Sequence, residues 1–284
     1  YLNAACRKES DLPATPEERT SYQSLAGTLN FFGHGVLPPA CFVASYLQQQ
    51  LGDLRVHHLA HANSLLKELL QLQPKLHFPK APAQPRDAHL IAWSDAAHGM
   101  TYGQSGFLAG LQISGSTQDT PILHVLDWSS SKQHRVSFSS IGSEILAAAS
   151  AADRGFALTA SIQSLFPHAS NPVYFVLRVD AKGLYDTLTT LHESKDYRLR
   201  PTVARLRDSF GAKEIRVLCW IPGPENLADC LTKGNFVVFR MLNQVMLAGR
   251  GKLYKFRVLE NCKKSVVSLL HLSIWNAAFD SARK

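Results

Sequence analysis

The stretch from residue 128 to residue 149, WSSSKQHRVSFSSIGSEILAAA, restricts the fold more than any other part of the chain. Its apolar beginning and polar continuation predict the end of a strand, then a turn, then a helix. Ser139 and Ser140 both belong to a residue type that caps helices, because the hydroxyl accepts a hydrogen bond from a backbone N–H group at the helix start. We therefore predict a helix that begins at one of these serines.

Glu144 lies on the apolar side of this predicted helix. The apolar residues recur at three- and four-residue spacing and form one face: Ile141, Ile145, Ala148 and Ala149. Since Glu144 falls in the same sector, its carboxylate should point toward the protein interior. An unpaired buried charge is too costly, so this carboxylate must be paired, hydrogen-bonded or bound to a metal ion. Other acids of the chain are its candidate partners.

Composition limits the class of protein. The 284 residues are 45% hydrophobic, and no apolar run is long enough to span a bilayer, which predicts a soluble chain of one or two domains. The net charge of +8 and the pI of 9.3 favour an anionic partner such as nucleic acid. The five cysteines are scattered without CxxC spacing, which predicts reduced thiols of an intracellular protein rather than a zinc or redox site.

The chain divides into four parts by sequence character. Apolar periodicity predicts two helices over 21–50, broken near 33–39, and a third over 54–72, so we assign 1–80 to a small helical segment. Four prolines follow between 74 and 87, and 81–87 is predicted to be a Pro-rich linker. Residues 88–235 alternate strands and helices. Residues 236–284 form an extension of unknown role, with one more amphipathic helix around 241–246 and a strand at 253–258.

Five strands are predicted within 88–235, at 89–94, 105–114, 122–128, 173–180 and 215–221. Short links make the first three antiparallel, whereas the long helix over 140–165 permits the fourth to run parallel to a neighbour. Further helices are predicted at 182–191, 200–210 and 225–233. The fold class is therefore α/β, with a five-stranded mixed sheet flanked by helices.

Four acids fall at corresponding places in this arrangement. Asp95 and Asp180 end the first and fourth strands, Glu144 lies in the first helix after the sheet begins, and Asp229 lies one turn into the last helix. If the first and fourth strands are neighbours, the four carboxylates converge at one edge of the sheet. Carboxylates at such short distances strongly disfavour joint ionisation, and hard cations such as Mg²⁺ or Mn²⁺ relieve the repulsion. Two such ions suit phosphodiester hydrolysis.

Four motifs in this order resemble the ribonuclease H domain of copia-type retrotransposon polyproteins. They are WSDAAHG at 93–99, WSSSKQHRVSFSSIGSEILAA at 128–148, RVDAKGLYDTL at 178–188 and WIPGPENLADCLTK at 220–233. The resemblance implies a ribonuclease H-like fold and two-metal hydrolysis of the RNA strand of RNA–DNA hybrids. It also implies that the family's catalytic, metal-binding acids are Asp95, Glu144, Asp180 and Asp229, with two Mg²⁺ ions, or Mn²⁺, as cofactor.

The resemblance extends, more loosely, to the helical segment. Residues 21–47 are similar to the end of the reverse transcriptase region that precedes this domain in the family, which implies a thumb- or connection-like role for 1–80. The chain begins with Tyr1, so we expect it to be a piece of a longer polyprotein, with an upstream reverse transcriptase as partner and an intracellular, cytoplasmic location in a retroelement particle that has access to the nucleus. The aromatic-Asp-Asp motif of polymerases is missing from these residues, and the third motif departs from the family after its aspartate.

Lys132, Gln133 and Arg135 precede the Glu144 helix and are candidates for contacts with the phosphates of a hybrid. A solvated basic turn explains the same residues equally well. Two alternatives to the enzyme remain at this point. One is a catalytically idle retroelement remnant or nucleic-acid-binding scaffold, although all four acids are retained. The other is an integrase or resolvase of related fold, against which the order of the acids argues.

Overall fold

The computed structural model describes residues 11–72, 75–80, 87–99, 103–114, 122–165, 172–190, 194, 196–234 and 236–248. Its centre is one five-stranded sheet with the strand order β3-β2-β1-β4-β5. The strands are β1 (Asp87–Ala97), β2 (Gln104–Ser114), β3 (Ile122–Lys132), β4 (Tyr174–Val179) and β5 (Val217–Trp220). β1, β2 and β3 pair antiparallel, while β4 runs parallel to both β1 and β5. This is a ribonuclease H-like mixed sheet, and the predicted fold class is confirmed.

Two strands continue beyond their predicted ends. β1 reaches Ala97 and β3 reaches Lys132, where the sequence predicted ends at Ser94 and Trp128. The backbone ladder explains the difference, because Ala97 still pairs with Gln104, and Gln104 pairs with Lys132. A run of serines on an edge strand does not end pairing as long as its backbone groups find partners on the neighbouring strand.

Helices cover both faces of the sheet. The first three are α1 (Pro16–Gly35), α2 (Pro38–Gln49) and α3 (Val56–Leu72), which confirms the three predicted helices and the break between the first two. α1 begins at a capping box in which Thr15 and Glu18 satisfy each other's backbone N–H groups. The others are α4 (Ser140–Leu165), α5 (Lys182–Thr189), α6 (Arg200–Gly211), the one-turn α7 (Cys230–Lys233) and α8 (Phe236–Ala248).

Alternation along β1 divides the interior into two cores. Ile91 and Trp93 face a core formed with α1, α2, α3 and α8, whereas Leu90 and Ala92 face a core formed with α4, α5 and α6. Side chains alternate between the two faces of a strand, so one strand supplies both cores. The sheet is therefore buried on both sides.

The helical segment and the sheet share one of these cores. Side chains of α1–α3 and of the sheet belong to the same apolar cluster, and Trp128 Nε1 in β3 donates a buried hydrogen bond of 2.6 Å to the carbonyl of Gly33 in α1. α8 confirms the predicted amphipathic helix and buries Phe239 and Leu242 in that cluster. The predicted linker, apart from Asp87, and the predicted strand at 253–258 lie outside the described residues. The fourfold division of the chain stays a prediction.

The cysteines follow the expectation only in part. Cys41 and Cys230 are buried free thiols, but Cys219 is disulfide-bonded, so the prediction that all five cysteines are reduced is wrong. Scatter along the chain does not fix distances in space, and spacing alone could not exclude a single bond. Among the helices of the described residues, none has both the length and the apolarity needed to cross a bilayer.

Candidate metal centre

Two of the predicted site acids are brought together by adjacent parallel strands. β1 and β4 pair in register up to Ser94 and Val179, and Asp95 and Asp180 are the next residues on each strand. Parallel neighbours present equivalent positions at the same edge of a sheet, so the two carboxylates lie side by side. Asp95 is 1% exposed, and Asp180 is partly buried.

α4 brings the third acid over this edge. Ser139 caps the helix, because its hydroxyl accepts a hydrogen bond of 3.1 Å from the backbone N–H of Gly142, as the sequence predicted for one of two serines. Ile145, the next residue after Glu144, is buried against the sheet. Ile141 is 44% exposed, so its predicted place on the buried face is wrong. It lies in the first turn of α4, where the helix has only begun to cover the sheet.

Asp95, Glu144 and Asp180 form one compact acidic group. Each offers a carboxylate oxygen, and these three oxygens lie within 4.8 Å of one another. Burial first, and the neighbouring carboxylates second, raise the pKa of Glu144 to about 9 and that of Asp180 to about 6. Burial also raises the pKa of Asp95, against the lowering effect of Lys233 and Thr232. Three ionised carboxylates this close need additional positive charge.

The acidic group has the donor set of a divalent cation site. Within the described part of the chain, Glu144 Oε2 and Asp180 Oδ1 are buried and accept no hydrogen bond. A buried acceptor left without a partner carries a desolvation cost that a bound cation removes. The three side chains offer only oxygen ligands, which suit Mg²⁺ or Mn²⁺ better than zinc. These residues therefore fit the predicted metal ions.

The segment after β5 encloses Asp95 from the other side. Asn226, fully buried, donates from Nδ2 to the carbonyl of Ser94 at 3.0 Å and to Asp95 Oδ1 at 3.4 Å. The hydroxyl of Thr232 donates a hydrogen bond to Asp95 Oδ2. Sequence reasoning missed both contacts, although both residues lie inside the motif WIPGPENLADCLTK. The available sequence signal for these contacts was that Asn226 and Thr232 are polar residues close to the predicted acid Asp229.

Lys233 is a third residue that the sequence analysis missed. Its Nζ lies 2.6 Å from Asp229 Oδ1 and 3.6 Å from Asp95 Oδ2. Burial alone lowers the pKa of Lys233, but the charges of Asp95 and Asp229 outweigh that effect and raise the pKa to about 12. The ammonium therefore stays protonated and brings one positive charge to the acidic group.

Asp229 occupies a different position from the one predicted. It directly precedes α7, while residues 223–225 form a separate 3-10 turn, so the single predicted helix over 225–233 is wrong. Asn226 explains the interruption, because its Oδ1 accepts from the backbone N–H of Ala228 at 3.1 Å and replaces helical hydrogen bonding there. The Asp229 carboxylate pairs with Lys233 and lies outside the compact three-acid group.

Of the three residues predicted to contact phosphates, two are exposed and one is buried. Lys132 and Arg135 are exposed on the segment that leads from β3 to α4. Gln133 is only 6% exposed, and its Nε2 donates to Ser105 Oγ at 2.9 Å and to the carbonyl of Ser143 at 2.8 Å. Those bonds tie β2 to the first turn of α4, next to Glu144. The side chain of Gln133 thus acts on the position of α4 and does not face solvent.

Comparison with known proteins gives likeness in fold only. No protein-family model matches the chain, and no curated protein matches it in sequence. Among solved structures, the chain is similar to a ribonuclease H1 of the halophilic archaeon Halobacterium salinarum NRC-1, with 17% identity over 51% of this chain and 94% of that chain, at a TM-score of 0.34. It is also similar to LC11-RNase H1, isolated from compost by a metagenomic approach, with 16% identity over 53% of this chain and 96% of that chain, at a TM-score of 0.35.

A third similar structure is the N-terminal RNase H domain of rv2228c from Mycobacterium tuberculosis. Its identity to this chain is 14%, over 55% of this chain and 99% of that chain, at a TM-score of 0.34. Similarity at this level carries no information about activity. What the chain does chemically has to follow from its own side chains.

Proposed function

We propose that this protein is a metal-dependent endonuclease that hydrolyses the RNA strand of RNA–DNA hybrids. The observation that carries the proposal is the buried group of Asp95, Glu144 and Asp180, whose carboxylate oxygens lie within 4.8 Å of one another. Placing three carboxylates together, partly shielded from water, lowers the stability of the folded protein, and bound cations would offset that loss. The four copia-type motifs supply the substrate class, since they resemble a ribonuclease H domain throughout.

Each side chain has a role in this proposal. Asp95, Glu144 and Asp180 would hold two Mg²⁺ ions, and Asp229 would add a fourth carboxylate at the outer side. Asn226 and Thr232 fix the orientation of the Asp95 carboxylate through their hydrogen bonds. Mg²⁺ held there would supply the Lewis acidity for activating a water molecule and for stabilising the leaving oxygen of the phosphodiester. Gln133 holds the first turn of α4, so that Glu144 faces Asp95 and Asp180.

Lys132 and Arg135 are proposed to contact phosphates of the hybrid. Both side chains are exposed on the segment that leads into α4, and positive charge there compensates the substrate backbone. Selection of a hybrid over other duplexes further requires contacts with 2′-hydroxyl groups and recognition of the backbone shape.

The chain is further proposed to be part of a copia-type retrotransposon polyprotein. Residues 1–80 would then be the end of a reverse transcriptase region, 81–87 its linker and 88–235 the nuclease domain. The shared apolar core of α1–α3 and the sheet supports a close association between the first and last of these. Co-expression with a copia-type reverse transcriptase region tests the partner. A stable complex is expected, and two separately migrating proteins would contradict the proposal.

The activity itself is tested with a labelled RNA strand annealed to DNA, in Mg²⁺. We expect cleavage of the hybrid RNA but not of free RNA or duplex DNA, and loss of cleavage in Asp95→Asn. The matched control is Asp153→Asn on the same helix as Glu144, because Asp153 pairs with Arg205 at the surface, 3.0 Å away. Hybrid binding without cleavage by folded wild-type protein in Mg²⁺ and Mn²⁺ would refute the nuclease and favour a binding scaffold or idle remnant.

A further inference from the structure

Lys233 is the last residue of α7, which packs against β1 and β2. Its ammonium contacts one acid of the compact group, Asp95, and the acid outside that group, Asp229. Asp229 and Lys233 are four residues apart, a spacing that brings two side chains of a helical turn together. The ammonium thus lies between the inner acids and the outer one.

The charge of Lys233 acts where the charge of a metal ion would act. The carboxylate of Asp95 is almost fully buried, so it depends strongly on nearby positive charge. The ammonium lies 3.6 Å from Asp95 Oδ2. A divalent ion held by Asp95, Glu144 and Asp180 would come within a few ångströms of the same ammonium. Two cations that close repel each other strongly in a partly buried site.

The side chain of Lys233 can move away from Asp95. It is 50% exposed, so it can turn toward solvent without opening the core. Its shorter contact is the 2.6 Å pair with Asp229, and that pair can persist when the contact with Asp95 is lost. The ammonium can therefore contact both Asp95 and Asp229, or Asp229 alone. These two arrangements differ mainly in electrostatic energy.

We propose that Lys233 is an internal counter-ion that competes with divalent metal ions for Asp95 and retreats to Asp229 when a metal ion binds. Lys233 thereby sets the Mg²⁺ concentration at which the site fills. The inference rests on the proposed metal site but adds a positioning residue that regulates it. Lys233 neither binds the metal ion nor takes part in the hydrolysis.

If Lys233 competes with Mg²⁺, its removal should strengthen Mg²⁺ binding but weaken the stability of the metal-free protein. Removal of the ammonium should strengthen Mg²⁺ binding, because the repulsion between the cations is gone. The same change should destabilise the protein in EDTA, because Asp95 loses its counter-ion. A merely structural lysine would destabilise the protein equally with and without Mg²⁺.

The test compares Lys233→Met with Lys233→Arg and wild type in thermal unfolding, first in EDTA and then over a Mg²⁺ titration. Lys182→Met is the matched control, because Lys182 forms an equivalent pair with Asp186, four residues on, at 3.1 Å. We expect Lys233→Met to melt lower in EDTA and to lower the apparent Kd for Mg²⁺ on the order of tenfold. Lys233→Arg, which keeps the charge, and Lys182→Met should keep the Kd of the wild type.

Three other outcomes would overturn the inference. An unchanged or weaker Mg²⁺ affinity in Lys233→Met, with wild type binding Mg²⁺ normally, would refute competition while leaving the metal site intact. The same gain in affinity in Lys182→Met would show that net charge, and not the contact with Asp95, is responsible. A wild-type protein that shows no Mg²⁺-dependent shift at all would refute the proposed metal site and the inference together.

Discussion

The acidic site has two walls of different construction. The inner wall consists of long elements, β1, β4 and α4, and carries three acids that the rest of the sheet holds in place. The outer wall is a turn followed by the four-residue α7, and its acid, Asp229, already has the ammonium of Lys233 at 2.6 Å. Of the inner acids Asp95 is buried and the other two are partly buried, and the pKa of each is raised, whereas the outer acid is paired with its own cation. The inner wall therefore carries the uncompensated carboxylates that fit a divalent cation.

The largest expected effect is at the centre of the inner wall. Glu144→Gln should lower hybrid cleavage by about 10³-fold or more, because several kcal/mol of charge stabilisation depends on metal ions held there. The same change should raise the melting temperature in EDTA, because an amide avoids the cost of a buried carboxylate whose pKa is about 9. Asp153→Asn should change neither property. Activity within a few fold of wild type in Glu144→Gln would contradict the role of the inner wall.

A smaller loss is expected at the outer wall. Asp229→Asn should lower cleavage by about ten- to a hundredfold, since removing a polar group beside the metal ligands costs less than removing a ligand. Steady-state rates at saturating Mg²⁺ measure the difference between the two walls. Equal losses in Asp229→Asn and Glu144→Gln would remove the distinction between them and make Asp229 a full member of the metal site.

The raised pKa values predict how stability depends on pH in EDTA. A carboxyl group whose pKa is higher in the folded state than in the unfolded state binds more protons when folded, so its favourable contribution is lost as pH rises. For Asp180 the loss of stability extends from the ordinary pKa of 3.8 up to about pH 6. For Glu144 it extends from the ordinary pKa of 4.5 up to about pH 9. We expect the melting temperature in EDTA to fall between pH 5 and pH 9.

Two comparisons isolate that pH effect from other titrating groups. Mg²⁺ should stabilise the protein more at high pH than at low pH, because ionised carboxylates bind it better. Glu144→Gln should show a flatter decline than wild type in EDTA. A melting temperature that rises from pH 5 to pH 9, or an identical slope in the variant, would contradict the arrangement of the inner acids.

The smallest effects are expected on the surface that leads to the site. Lys132→Ala and Arg135→Ala should each raise the KM for hybrid severalfold and reduce the slope of log KM against log salt concentration by about 1. The control is Lys67→Ala, an exposed lysine on α3. A fall in kcat without a change in salt dependence would show that these residues act on the position of α4 rather than on phosphates.

The sequence predicted most of the inner wall. Hydrophobic patterns located the strands, and the long helix between β3 and β4 permitted the parallel pairing that sets Asp180 beside Asp95. Helical phase was sufficient to direct Glu144 inward, because ten or more residues of regular spacing follow it. These features repeat along the chain, so that an error at one residue does not change the result.

The outer wall could not be predicted in the same way. A single side-chain hydrogen bond, from the backbone of Ala228 to Asn226, decides whether residues 225–233 form one helix or two short turns. The contacts of Asn226 and Thr232 with Asp95 join residues more than 130 positions apart. Local patterns contain no information on such contacts, and Lys233 was missed for the same reason.

Anomalous diffraction from crystals soaked in Mn²⁺ tests the central claim most directly, because it locates the cation without reference to activity. The account predicts a Mn²⁺ peak at coordination distance from Asp95, Glu144 and Asp180, with no such peak in Glu144→Gln crystals under the same conditions. Mn²⁺ bound at other acids only, with the three carboxylates of the inner wall remaining free of it, would contradict the account.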